Sequence, residues 1–282
     1  MLFPFHWCTE RFRYGPYLSA RGPRLFSSAE RQSRGYSPRA RCPRPPAGAG
    51  TYIEQYLDKP FTERKEMAVR TAEALNLLRQ QPPGPDRDAY DWAVQNATAI
   101  DQTARGYGFD FEDQTQIAAS MRYRDSAMAS DVAWWERHTG TKVLLSAHDA
   151  HVGYEPVDPA DYPKMQGAFL RDSLGPAYVS VGLTFDRGSF NATGPDGKVR
   201  RFTVGPAGTG TNERTLDRVR YRDYVLDLRT AASPARDWLN GARPTRSIGT
   251  DYPDGPYDIA LAPSHDILIH LHRVAAARLR DR

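Results

Sequence analysis

The stretch Lys142-Val-Leu-Leu-Ser-Ala147 decides the predicted fold, together with a second apolar run, Ala177-Tyr-Val-Ser-Val-Gly-Leu-Thr-Phe185. Each run is short and almost wholly apolar, which is typical of a strand that is covered on both faces. A proline-rich loop and a predicted helix at about 164–174 lie between them. The alternation of strand, helix and strand is typical of parallel winding with right-handed crossovers. We therefore predict an α/β fold with a central, mostly parallel sheet flanked by helices.

Upstream of these strands the sequence predicts a helical insertion over residues 51–138. Apolar residues recur at helical spacing over 62–80 and over 87–105. A third helix is expected to begin near residue 112 or 120 and to end before Gly140, a natural C-terminal cap.

Downstream of the second strand the pattern predicts shorter elements. Residues 188–204 are expected to form a hairpin around Gly194-Pro-Asp-Gly197. Tyr224–Leu228 and Asp266–Leu271 are strand candidates, and residues 233–239 form a predicted helix between them. Together these elements extend one sheet-containing domain over 51–282.

The first fifty residues differ from the rest in composition. They hold nine arginines, no lysine and only two acids, Glu10 and Glu30, scattered among proline, glycine and serine. This composition predicts a disordered or non-native segment. An arginine-rich, acid-poor start is also typical of an organellar transit peptide.

Composition also bears on partners and location. The net charge of +4 comes from that segment, where no folded basic face is predicted, so we expect no nucleic-acid partner. No apolar run approaches the length that crosses a bilayer, so we expect no membrane span. Cys8 and Cys42 are the two cysteines, and their absence from residues 51–282 suits a reducing cytoplasm.

The sharpest candidate site is His148-Asp-Ala-His151, directly after the first predicted strand. Ligands in open α/β sheets bind beyond the carboxyl ends of the strands. Two imidazoles at that position can act as general bases, donate to an oxyanion or ligate a metal. The alternative is a pair of loop histidines that bond to backbone or to solvent.

A second candidate is the pair Arg124-Asp125. Arg124 falls on the apolar stripe of a predicted helix and Asp125 borders that stripe, and a buried guanidinium must be paired. Arg124 either points into a cleft to bind an anionic or carbonyl oxygen, or forms a structural ion pair. A helix that starts at Asp125, with Arg124 outside it, would also explain the pattern.

Three other motifs give weaker signals. Ser264-His265-Asp266 cannot form a catalytic triad, because consecutive residues of a strand point to alternate faces. No Gly-x-Ser-x-Gly elbow is present, which argues against a standard α/β-hydrolase. His270 and His272 share a strand face and could bind metal, although solvent-facing or edge positions are favoured.

An ordered set of blocks resembles the erythromycin esterase family over roughly residues 51–275. The blocks are Arg124-Asp-Ser-Ala-Met-Ala-Ser-Asp-Val-Ala-Trp134, Lys142-Val-Leu-Leu-Ser-Ala-His-Asp-Ala-His-Val-Gly153, Val181-Gly-Leu-Thr-Phe-Asp-Arg-Gly-Ser-Phe190, Asp91-Trp-Ala-Val-Gln-Asn-Ala97, and Tyr257-Asp-Ile followed by His265-Asp-Ile-Leu-Ile-His270. The resemblance implies a hydrolase that opens an ester or macrolide lactone with histidine-activated water, without a serine nucleophile and with no cofactor. It implies catalytic roles for His148 and His151, support or substrate binding by Arg124 and Asp125, and a small-molecule ester or lactone as partner.

One departure from the family pattern bears on activity. The family carries an early Gly-Glu-x-x-His-Gly block with the principal base histidine, and His6 and Glu10 do not reproduce it. Loss of that base would remove most of the acid–base contribution, about a hundredfold or more in rate. Two other functions therefore stay open: a metal- or haem-binding module that uses His148 and His151 with Asp149 or Glu155, and a degenerate protein that binds without turnover.

Overall fold

The computed structural model describes residues 55–279. The predicted disordered or non-native segment 1–50 lies outside the described residues. Three long helices come first: α1 (Phe61–Gln80), α2 (Arg87–Tyr107) and α3 (Gln114–Thr139). They confirm that the region before the strands is helical.

Local sequence explains where these helices begin and end. Asp86 and Asp113 cap the N-termini of α2 and α3, each accepting a hydrogen bond from a backbone N–H of the first turn. Helix α3 ends at Gly140, which adopts the left-handed conformation with φ 62°.

The remaining elements alternate short helices and strands. In chain order they are α4 (Asp149–Val152), α5 (Gln166–Leu174), a 3₁₀ turn (Gly175–Ala177), β1 (Val181–Thr193), β2 (Val199–Val204), α6 (Asn212–Leu216), β3 (Tyr224–Asp227), a 3₁₀ turn (Leu228–Thr230), α7 (Ala235–Leu239), β4 (Arg243–Thr245), β5 (Tyr257–Ile259), α8 (Leu261–Ser264) and β6 (Ile267–Val274). The predicted hairpin at 188–204 and the strands at 224–228 and 266–271 correspond to β1–β2, β3 and β6.

The main sheet is mixed, and its strand order is β2-β1-β6-β3. Only β1 and β6 pair in parallel, whereas β1–β2 and β3–β6 are antiparallel. The prediction of a mostly parallel sheet is therefore not confirmed. The hairpin turn and the reversal before β6 introduce antiparallel neighbours that apolar content alone does not reveal. A separate two-stranded sheet joins β4 to β5.

The predicted strand at Lys142–Ala147 is wrong. The segment forms no strand, and its residues make no backbone–backbone hydrogen bond with any other described residue. Val143 and Leu145 pack against a core cluster of α3 and α5, but Leu144 is 93% exposed. The apolar run therefore buries alternate side chains on one side only and lacks the neighbouring strand that a ladder requires.

The helices and the sheet enclose two apolar clusters that fix the positions of the site segments. One cluster joins α3 to α5 through Ala129, Val132 and Leu170. The other covers one face of β6 and is centred on Leu268, which is fully buried against the short helices α6–α8 and the 3₁₀ turn at Leu228. Among the described residues, no helix combines the length and hydrophobicity that a bilayer span requires.

Candidate active site

The middle of α3 supplies Arg124 and Asp125. Met128 and Val132 follow on the same side of the helix and are buried, so packing of that side carries Asp125 into the interior. Asp125 is completely buried, and the Arg124 side chain is about one-fifth exposed. Because α3 begins eleven residues before Asp125, at Gln114, the alternative of a helix starting at Asp125 is wrong.

The single turn α4 supplies both histidines of the His148-Asp-Ala-His151 motif. His148 caps this turn: its Nδ1 accepts the backbone N–H of Ala150 at 3.2 Å. Its Nε2 therefore carries the ring proton and donates to the carbonyl of Ile248 at 3.0 Å. Burial lowers the pKa of His148, which favours this neutral form. Both nitrogens of His148 are thus committed to backbone groups.

His151 faces α3 and forms a dyad with Asp125. Its Nδ1 lies 2.8 Å from Asp125 Oδ1, and its Nε2 lies 3.2 Å from Arg124 Nη1. A guanidinium has only donors, so Nε2 accepts and Nδ1–H donates to the carboxylate. The contacts therefore fix the tautomer of His151 and leave Nε2 as the basic atom.

The buried carboxylate of Asp125 is held by two further groups. Its Oδ1 also accepts the backbone N–H of Gln166 at 2.9 Å, and its Oδ2 lies 3.6 Å from Arg124 Nη1. Oδ2 is buried without a hydrogen-bond partner among the described residues. Gln166 begins α5, so this helix start, α3 and the α4 turn meet at one carboxylate. A buried charge of this kind persists because its counterion and donors surround it.

Of the four predicted site residues, the structure brings Arg124, Asp125 and His151 into direct contact. His148 lies on the same turn, but its ring is directed to the segment around Ile248. Tyr162 was not singled out from the sequence. Its half-buried phenol interacts with the charges of Arg124 and Asp125, and burial raises the pKa of Tyr162. No sequence pattern marks this tyrosine, because the loop at 154–165 lacks periodicity.

A cleft of about 250 Å³ lies on the other side of the α4 turn. Its polar lining includes His148, Asp149 and His265, and β1 supplies Leu183 and Phe185. His151 does not line it. The Asp125–His151 dyad and the cleft therefore lie on two sides of one helical turn, and Asp149 and His148 connect them.

Two titratable groups in the cleft have perturbed pKa values. Asp149 accepts the backbone N–H of Leu183 at 2.7 Å, and burial raises the pKa of this carboxyl to about 6. His265 Nδ1 lies 2.9 Å from Ser180 Oγ, which donates its own proton to the Val152 carbonyl. The Nδ1 atom therefore donates, the Nε2 atom keeps its lone pair, and burial lowers the pKa of His265 to about 4.

We predict that Asp149→Asn changes the pH dependence of stability. The folded Asp149 has its pKa raised above the unfolded value of 3.8, so its stabilising contribution is full below that value and is lost as pH rises through about 6. In urea titrations, the stability of Asp149→Asn relative to wild type should rise by up to about 3 kcal/mol between pH 4 and pH 7. If the free energies of unfolding of the two proteins change with pH in parallel, the raised pKa of Asp149 does not contribute to the pH dependence of stability.

His265→Gln is the matched control, because its stability relative to the wild type should change with pH in the opposite direction. The pKa of His265 is depressed from 6.5 to about 4, so its contribution is present above pH 6.5 and is lost as pH falls through about 4. The wild-type protein should therefore gain stability relative to His265→Gln over the same pH interval. Each comparison is between a variant and the wild type, so the pH dependence that the other buried acids and histidines contribute to stability cancels.

Comparison with known proteins places these residues in a family context. Residues 16–274 match the family model described as erythromycin esterase. None of the curated proteins matches the sequence.

Two solved structures share the fold. One is described as a succinoglycan biosynthesis protein: it is 24% identical, superposes with a TM-score of 0.68, and the match covers 79% of this chain and 53% of that one. The other is a protein from Bacillus cereus that is 23% identical, with a TM-score of 0.70 and coverage of 79% and 55%. The chain thus spans about half the length of the two solved structures.

Proposed function

This chain belongs to the erythromycin esterase family, and from that premise we propose that it hydrolyses a small-molecule ester or lactone with His151 as general base. The observation that carries the proposal is the Asp125–His151 dyad, with a 2.8 Å contact to a fully buried carboxylate. An imidazole fixed in one tautomer by a carboxylate is the arrangement that accepts and returns a proton during acyl transfer.

The proposed reaction begins with a water molecule at His151 Nε2. As the water oxygen bonds to the carbonyl carbon, its proton passes to Nε2, and Asp125 stabilises the resulting imidazolium. The tetrahedral intermediate collapses by breaking the bond to the alkoxide, which takes the proton back from Nε2. The products are a carboxylic acid and an alcohol, and the histidine returns to its neutral form.

Arg124 has two roles in this proposal. In the resting site it donates to His151 Nε2 at 3.2 Å and so holds the ring in place. When a substrate enters, the partly exposed guanidinium turns its donor to the carbonyl oxygen and frees Nε2 for water. Donors aimed at the developing oxyanion contribute about 10²–10³ in rate in other hydrolases.

We assign His148 a positioning role in the same site. Its two backbone hydrogen bonds fix the start of the α4 turn, and the third residue of that turn is His151. Replacing it loosens the turn and lowers turnover less than a change at His151 itself. The base histidine of the family's Gly-Glu-x-x-His-Gly block has no counterpart in this sequence. The dyad therefore carries all the proton transfer that we propose.

We expect Arg124→Ala to lower kcat for ester hydrolysis by about a hundredfold. The assay compares purified wild type and variant on short p-nitrophenyl esters and on erythromycin, with the buffer rate subtracted. Arg124→Lys, which keeps the charge but not the planar fork, should recover part of the loss. Wild-type turnover no faster than buffer would contradict the proposal. Binding without turnover would favour the degenerate binding protein.

A further inference from the structure

A second cluster of charged and imidazole side chains lies on the covered face of the sheet, away from the dyad. Asp186 comes from β1, Asp217 follows α6, and His270 and His272 come from β6. Ligand atoms of Asp186, Asp217 and His272 all lie within 4.8 Å of one another. Asp217 Oδ1 is 2.6 Å from His272 Nδ1 and 3.6 Å from His270 Nε2. Two carboxylates and two imidazoles thus converge from three segments.

His270 is the group that the fold leaves unexplained. Its side chain is fully buried, and its Nδ1 lies 2.9 Å from Thr184 Oγ1. Its Nε2 has no hydrogen-bond partner among the described residues, because 3.6 Å from Asp217 is too long for a hydrogen bond. A buried polar atom without a partner is costly. This one lies 3.6 Å from Asp217 Oδ1, so an ion between the two atoms would satisfy both.

We propose that Asp186, Asp217, His270 and His272 form a site for a divalent cation of the Zn²⁺ type. Imidazole nitrogen and carboxylate oxygen suit zinc, whereas Mg²⁺ and Ca²⁺ prefer oxygen ligands alone. Thr184 accepts the Nδ1 proton of His270 and so orients Nε2 toward the ion, as outer partners of metal-bound histidines do. Zinc–ligand bonds of about 2.0–2.2 Å place tetrahedral ligand atoms roughly 3.4 Å apart. The 2.6 Å contact between Asp217 and His272 must therefore open on binding, and the wider separations, which reach at most 4.8 Å, must close.

Two arginines compete with the ion and set its affinity. Arg187 Nε lies 2.8 Å from Asp186 Oδ2, and its Nη2 lies 3.7 Å from Asp217 Oδ2. Arg222 donates to His272 Nε2. If the ion binds at Nδ1, the ring proton moves to Nε2, and the exposed Arg222 must turn away. Removing Arg222 should therefore strengthen zinc binding, which is the reverse of what a merely structural role predicts.

The test is a zinc titration of the full chain after dialysis against a chelator. Isothermal titration calorimetry should detect one Zn²⁺ ion bound at this site, and Co²⁺ should give visible absorption bands there. Asp217→Asn and His272→Ala should each weaken binding by at least about tenfold. Arg222→Ala should tighten it severalfold. The thermal midpoint of the wild type should rise with zinc concentration.

His138→Ala is the control, since His138 pairs with Asp88 and stacks on Trp134, outside the cluster. It should bind zinc as the wild type does. Asp217→Asn conserves side-chain volume, and a circular dichroism spectrum verifies its fold before titration. Zinc affinity that is equal in the wild type, Asp217→Asn and His272→Ala overturns the proposal. So does equal affinity for Mg²⁺ and Zn²⁺.

Discussion

His151→Ala is expected to reduce ester hydrolysis by about 10²–10⁴-fold, the range for a general acid–base group. The variant removes the atom that takes the proton from water and leaves Asp125 buried without its imidazole partner. The reduction should appear in kcat more than in KM, because Nε2 accepts the proton only as the water attacks. Initial rates over a range of substrate concentrations separate the two parameters.

Asp125→Asn and His138→Ala complete that experiment. An amide oxygen at position 125 can still accept the Nδ1 proton, but it carries no charge to stabilise the imidazolium that forms as the water attacks, so kcat should fall by a comparable factor. The volume of the side chain and its hydrogen bond from Gln166 are conserved. His138→Ala removes a histidine from α3, the helix that carries Asp125. Because His138 lies outside the site, this variant should retain wild-type kcat. If His151→Ala hydrolyses esters as fast as wild type, His151 is not the base.

The two histidines of the motif look equivalent in sequence but have different environments. They lie on one short turn, with His148 as its N-cap and His151 within it; the sequence predicted only that both follow an apolar run. Backbone bonding was one alternative for both histidines, but the sequence could not predict that His148 alone bonds backbone groups through both ring nitrogens, one of these groups being the carbonyl of Ile248, a hundred residues away. Nor could it show that His151 meets Asp125. Such pairings depend on how α3 packs against α5, which is a tertiary property.

Helices were predictable because their signals are local. Periodic apolar residues, an aspartate cap and Gly140 specify α3 within a few residues. Strand signals were less complete. The runs at 142–147 and 177–185 look alike in sequence, yet only the second finds partners: Val181–Gly188 pairs with β6, and the end of β1 pairs with β2. Strand formation requires a neighbour, and apolar content does not reveal whether one is present.

The cleft residues were missed for a related reason. The sequence suggests Asp149 as a third metal ligand and His265 as a member of a triad that strand geometry excludes, but it indicates no cleft that the two residues share. Their importance comes from burial and from contacts with Leu183 and Ser180 on or beside β1, which no spacing rule reveals. Burial also raises the pKa of Asp149 to about 6 and lowers the pKa of His265 to about 4. Gly153 and Gly182 lie on either side of the His265 ring, and a Cβ on either glycine would contact that ring. These two glycines are the sequence feature that reflects how closely His265 is packed.

The last prediction links packing to the site: Gly167→Ala should destabilise the protein by about 3 kcal/mol or more. A Cβ at this position of α5 would lie 2.2 Å from the Val152 carbonyl oxygen and 2.3 Å from that of Gly153. Both atoms are backbone, so no side chain can move aside. The start of α5 and the α4 turn must separate, which pulls His151 away from Asp125. Urea unfolding measures the stability change.

Gly106→Ala is the matched control, because it makes the same change in α2 with no atom within 4 Å of the new Cβ. There the methyl group should stabilise the helix by about 0.5–1 kcal/mol. In folded Gly167→Ala, measured well below its unfolding midpoint, ester hydrolysis should also be impaired, because the dyad has separated. Wild-type stability in Gly167→Ala would contradict the close approach of α4 and α5. Normal turnover in a destabilised variant would instead show that the contact between α3 and the α4 turn holds the dyad without the start of α5.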